Sequence, residues 1–169
     1  MGAHHFKFYL LPAGARVTRD VNGDLPGDFL VGHKIPSSVV SKLRALLPRP
    51  NHWGAIEEFN SASEWGSDIR IYHEKDGSIG DIAMRYAPVA DSLDTLRAFV
   101  DVAKDAACDI VVDSSTEVLP AEFDMVSAAL RKHRAYRFIA DPESAIKEAA
   151  KEAIQPPQTT TGSSAPDRV

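Results

Sequence analysis

Residues 68–87, DIRIYHEKDGSIGDIAMRYA, alternate apolar and polar side chains, break once at Asp76-Gly77, and alternate again. Period-two alternation is the signature of a half-buried strand, and Asp-Gly between two such runs marks a tight hairpin. A two-residue turn here sets Ile71 opposite Ile82, Ile69 opposite Met84, Tyr72 opposite Asp81, Arg70 opposite Ala83 and Asp68 opposite Arg85. A slip of one residue would place Ile69 against Arg85 and mix the two faces, so pattern and turn demand the same register. The hairpin therefore has an apolar face and a second face carrying Arg70, Tyr72, Asp81 and Arg85. His73 falls at the rim, opposite Gly80. Any fold for this chain must bury the first face and leave the second in water or against a partner.

The flanking sequence supplies the cover. Phe6–Leu11 is an aromatic-rich run ended by Pro12 and reads as a central strand. Residues 13–35, punctuated by Asn22-Gly23, Pro26-Gly27 and Gly32, read as a long loop, with a short hairpin expected at Asn22-Gly23. Val39, Val40, Leu43, Leu46 and Leu47 recur at helical spacing until Pro48. Residues 48–66 have no clear period and read as a loop, with a helical turn or two at Ala55–Phe59. After the hairpin, Asp91 or Ser92 caps a helix with Leu93, Leu96, Phe99, Val100, Ala103 and Ala107 on one face. Asp109–Asp113 is a short strand, Val118-Leu119 a brief extension, and Phe123, Val126, Ala129 and Leu130 stripe another helix. Tyr136–Ile139 fits either a strand or the end of that helix. The whole reads as α+β: a mostly antiparallel ferredoxin-like sheet (β-α-β-β-α-β) with appended C-terminal helices. Residues 1–140 form one domain, Asp141-Pro142-Glu143 opens a helix over 141–154, and the Pro/Thr/Ser-rich residues 155–169 are an expected disordered tail.

Composition narrows the function classes. Nineteen Lys plus Arg face 24 Asp plus Glu, a net charge of −5, and no long basic run occurs, which disfavours nucleic acid and anionic membrane partners. The first residues are too short an apolar run for a membrane span and lack a leader layout, so a cytoplasmic protein is expected. Cys108 is the only cysteine, beside Ala106, Ala107 and Ile110, and reads as a buried thiol. Asp20-Val21-Asn22-Gly23-Asp24 matches only the start of a calcium loop; Leu25 and Val31 stand where its Gly and Glu belong. The six histidines lack metal-ligand spacing, and neither a nucleophile elbow nor a phosphate-cradling Gly motif is present. No catalytic residue, metal or cofactor is expected.

Two features point to binding. Trp53 and Trp65, the only tryptophans, lie within thirteen positions in the least regular segment, and Trp is enriched at interface hot spots. The outer hairpin face adds Arg70, Tyr72, Asp81 and Arg85, residue types that interfaces use. The alternative is an enzyme or ligand binder with a pocket near residues 48–72, using His52, Glu57, Glu58 and Arg70 for acid/base or anion contacts.

The stretch Trp65-Gly66-Ser67-Asp68-Ile69-Arg70-Ile71-Tyr72, its Asp-Gly turn, and Cys108-Asp109-Ile110-Val111-Val112-Asp113 resemble small uncharacterised bacterial α+β proteins. Some proteins of that build are immunity proteins encoded beside secreted toxins. The likeness spans about residues 65 to 140 and implies a small acidic cytoplasmic protein that acts by binding, without assigning any site residue.

Overall fold

The computed structural model describes residues 5–115, 117–141, 143, 144, 146 and 147. The chain forms an α+β fold around one seven-stranded, all-antiparallel sheet. In chain order the strands are β1 (Phe6–Pro12), β2 (Arg49–Trp53), β3 (Ile56–Asn60), β4 (Asp68–His73), β5 (Ile79–Tyr86), β6 (Cys108–Val112) and β7 (Val118–Leu119). Their spatial order is β2-β3-β4-β5-β1-β6-β7. Among the described residues the helices assigned as elements are α1 (Ser37–Leu46), α2 (Leu93–Asp105), α3 (Phe123–Lys132) and the short α4 (Arg134–Ala140). The sheet is thus wider than the four strands of the expected unit: a hairpin is added at one edge, and the brief extension read at Val118-Leu119 pairs as a two-residue strand at the other.

The alternation of each strand builds one apolar face. Phe6, Phe8 and Leu10 of β1, Ile69 and Ile71 of β4, Ile82, Met84 and Tyr86 of β5, and Ile110 and Val112 of β6 enter a single core. Helix α2 lies at its centre, against β5 and β6 and between α1 and α3. It buries Leu96, Phe99, Val100, Val102 and Ala103, while α1 contributes Val39 and Leu43 and α3 contributes Val126 and Leu130. Each fully buried Leu, Ile or Phe is worth about 1.5–3 kcal/mol, so this one-sided cover is what holds the sheet. Cys108 sits in the same core, its thiol pushed up to about 11 by burial, with Asp109 adding to the shift.

The central hairpin keeps the expected pairs from Asp68↔Arg85 through Tyr72↔Asp81. Its turn differs. Gly77 N–H donates to the Glu74 carbonyl (2.9 Å) and Gly77 takes φ +83, a type I turn closed by a left-handed glycine. That inserts one residue, and an irregularity between Tyr72 and His73 absorbs it, so His73 faces Ile79 rather than Gly80.

Residues 48–66 are a larger correction. They contain a second hairpin, β2–β3, where a loop and a helical turn over Ala55–Phe59 were expected. Gly54 at φ +63 makes the turn. The period-two signal was hidden because the adjacent carboxylates Glu57 and Glu58, although both largely buried, face opposite sides of β3. Tyr136–Ile139 belongs to α4, and Ser92 caps α2 by backbone geometry alone. Asp20–Asp24 is an Asx turn instead of a hairpin: Asp20 Oδ1 accepts from Asn22 N–H (2.8 Å) and Asp24 N–H (2.9 Å). At the expected C-terminal helix, Ser144 N–H donates to Asp141 Oδ1 and Lys147 pairs with Glu143 at 2.7 Å. Residues 148–169, including the expected tail, lie outside the described residues, as does His4.

Candidate functional site

The sheet face opposite the helices divides in two. Over β1 and β6 it is covered by the loop after β1. Gly14 N–H donates to Asp109 Oδ2 (2.8 Å), an Arg19 guanidinium donates to the Asp113 carbonyl, and Phe29 packs on Tyr9 at 5.6 Å between rings. Leu30 then enters the helix-side core, its N–H bonded to the Gly80 carbonyl, and His33 Nε2 lies 3.0 Å from the Ala106 carbonyl. Residues 13–33 are therefore a strap that crosses one sheet face and anchors on the other. Leu11 and Val111 on this half are buried although they alternate onto the outer face.

Asp81 shares that fate. It was expected on the wet side of the hairpin, but only 7% of it is exposed. Burial raises its carboxyl to about 7; the Ile82 N–H it accepts opposes the shift, the nearby Asp28 reinforces it, and Lys7 offsets it slightly. Asp81 is thus a covered group rather than a contact surface.

The other half, over β1, β4 and β5, stays open as a groove of about 310 Å³. His5, Lys7, Asp68, Arg70, Arg85 and Asp113 line it. Asp68 lies at its floor, 4% exposed at the side chain. It pairs with Arg85 Nη2 and stands 3.7 Å from Arg70 Nε. Burial nevertheless dominates and lifts its carboxyl above the ordinary range, against the pull of the two arginines. Arg70 Nε also donates to Glu58 Oε1 at 2.9 Å. Arg85 Nε is enclosed without a hydrogen-bond acceptor, so this guanidinium is held by charge more than by forked hydrogen bonding.

Both tryptophans flank the groove. Trp53 lies at the end of β2, half exposed, with the Arg70 guanidinium 5.8 Å from its ring centre. Trp65 is 74% exposed, and its carbonyl lies 3.3 Å from His5 Nε2. The neighbouring backbone is locked. Ser67 N–H donates to Asp91 Oδ2 (2.6 Å), Ser67 Oγ accepts from Ala87 N–H (3.1 Å), and Ser61 N–H donates to the Ser67 carbonyl (2.9 Å). A Cβ on Gly66 would fall 1.7 Å from Ser61 Oγ, so only glycine fits between Trp65 and this lock. Tyr72 is half-buried on the same face, between Ile56 and Asp81. The structure therefore gathers Trp53, Trp65, Arg70, Tyr72 and Arg85 around one surface and withdraws Asp81. Lys7 and His5 were missed because their membership depends on β1 pairing beside β5, a long-range contact.

His52, Glu57, Glu58 and Arg70 do not converge. Glu57 faces the helix side, where Arg44 binds it with two hydrogen bonds (2.6 and 2.8 Å) and His73 Nε2 lies 2.6 Å away. Arg44, ahead of burial, sets the direction and holds the Glu57 carboxyl below its usual range. Glu58 faces the groove side with Arg70. Among the described residues no group of three His, Cys, Asp or Glu could hold a metal ion, and no helix is long and apolar enough to cross a membrane. Comparison with family models, with curated proteins and with solved structures finds no match for this chain.

The edge strand beside the groove is closed to further pairing on two counts. Pro50 has no N–H, and His52 N–H is taken by Asn51 Oδ1 at 2.9 Å. Proline and capped donors are how natural sheets avoid adding strands at an edge. What this end of the molecule offers a partner is side chains on a face.

Proposed function

We propose that the chain is a non-enzymatic protein-binding module, of the immunity kind that its resemblance suggests, and that it neutralises a protein partner by docking the uncovered half of its sheet. The observation that carries this reading is the placement of both tryptophans, largely in solvent, next to residues that line one charged groove, Trp53 by Arg70 and the Trp65 carbonyl by His5. Large exposed aromatics beside arginines are the composition of interface hot spots. The dispersed carboxylates, which do not converge on one point of the groove, favour a macromolecular surface over a substrate held for acid/base chemistry. The closed edge supports docking on the face rather than by strand addition. We also read the middle of the sheet, β4-β5-β1-β6 with α1 and α2 between its strands, as a ferredoxin-like unit extended at both edges; the support is that adjacency and the one-sided helix layer.

The test is recovery of partners from the source cell on immobilised chain, wild type against a Trp53→Ala/Trp65→Ala double variant. Neither ring is in the core, so the variant keeps its melting temperature. A partner recovered by wild type and lost by the variant supports the reading; identical recovery by both overturns it.

A further inference from the structure

We infer that the groove takes an acidic segment of a protein partner, its carboxylates seated on Lys7, Arg70 and Arg85 and its uncharged part on Trp53 and Trp65. This rests on the docking face proposed above and names the chemistry of what docks there.

Charge in the groove is sorted by depth. The side chains of Lys7, Arg70 and Arg85 are 39%, 33% and 36% exposed, whereas the central carboxylate, Asp68, is sealed beneath them. Both Asp68 oxygens already face the two arginines. Lys7 Nζ reaches its nearest carboxylate, on Asp113, only at 4.0 Å, beyond hydrogen-bond length. Each cation has an internal partner, yet by exposure the groove presents three half-exposed cations against one exposed carboxylate in the lining, Asp113 at its rim. This sign is opposite to the net charge of −5, from which a basic partner would be expected. Complementarity at the point of contact, rather than the sum over the chain, selects what can be buried there.

The same distribution argues for a peptide over a nucleic acid. The cations form one short cluster, with Asp113 and Glu58 beside it and an acidic molecule around it. A continuous phosphate backbone would meet those carboxylates, whereas a segment with separated carboxylates need not.

Both tryptophans of the chain flank the groove, so intrinsic fluorescence reads its occupancy directly. Capped hexaglutamate, capped hexalysine and octathymidylate would be titrated at low and high salt into wild type and into Lys7→Glu. Lys7 is half-buried, its ammonium 4.7 Å from the Tyr9 ring centre with no carboxylate in hydrogen-bond reach, and Lys7→Glu keeps the backbone pairing of β1; should it melt early, Lys7→Gln replaces it, with a smaller effect in the same direction. The expected result is saturable, salt-sensitive binding of hexaglutamate, weakened about tenfold in Lys7→Glu, with no response to hexalysine. Failure of hexaglutamate to bind, equal binding by both proteins, or tighter binding of octathymidylate would overturn the inference. A partner that needs Trp53 and Trp65 but is recovered equally by Lys7→Glu would leave the docking face standing and remove the acidic segment alone.

Discussion

Asp68 and Asp81 begin and end the outer face of one hairpin, on adjacent strands, and both are buried. Asp68 is buried by charge: Arg70 and Arg85 lie against it, and the groove above stays open. Asp81 is buried by chain: the strap closes over that end, and no arginine accompanies it. Desolvation raises both carboxyls, but only at Asp68 do arginines oppose the shift. One alternating strand pair can therefore hold a docking surface and a sealed interior on the same side, and the chain laid across it decides which is which.

The strongest test of the covered half is its anchor. Leu30 is fully buried in the helix-side core, and Leu30→Ala should cost about 3 kcal/mol, read as a lower midpoint in urea. Faster amide exchange around β6 and residues 13–33 should accompany it, with the groove side less affected. A cost under about 1 kcal/mol would mean that the strap merely rests on the sheet.

Asp81→Asn comes next, and its effect depends on pH. The folded-state pKa of Asp81, about 7, lies above the ordinary unfolded value. Ionisation therefore opposes folding: the penalty is absent below about pH 4, grows as pH rises, and is complete above about pH 7. Asn keeps an acceptor for Ile82 N–H and carries no charge. The variant should match wild type at pH 4 and exceed it by up to about 4 kcal/mol at pH 8, measured by denaturant titration at both pH values. A variant no more stable at pH 8 would show that the carboxyl is better solvated than its cover implies.

The same exchange at Asp68 should do least. Losing its charge removes a desolvation penalty and two attractions to partly exposed arginines, so Asp68→Asn should stay within about 1 kcal/mol of wild type at pH 8. A gain equal to that of Asp81→Asn would erase the distinction between burial by charge and burial by chain.

Legibility from sequence followed contact range. The central hairpin was readable because two local signals, alternation and Asp-Gly, coincide; even so, the extra turn residue escaped, since the compensating irregularity at Tyr72/His73 leaves no trace in composition. The β2–β3 hairpin was not readable. Glu57 and Glu58 look like a solvated pair, and only Arg44 and Arg70, thirteen and twelve positions away, explain how both sides of that strand become largely buried. Of the expected contact residues, Trp53, Trp65, Arg70, Tyr72 and Arg85 share one surface, whereas Asp81 does not, because nothing in its neighbourhood announces a strap that starts more than sixty residues earlier.

By itself the sequence determined the local terms: which residues alternate, which helices carry an apolar stripe, and which face of the central hairpin must be dry. These depend on backbone periodicity and side-chain chemistry within a few residues. Tertiary structure decided the rest. Placing β1 between β5 and β6 brought Lys7 beside Arg85, and laying residues 13–33 across the sheet sealed one half of its outer face and left the other open. Those outcomes follow from burial and pairing between distant segments, which become energetically defined only once the chain has folded.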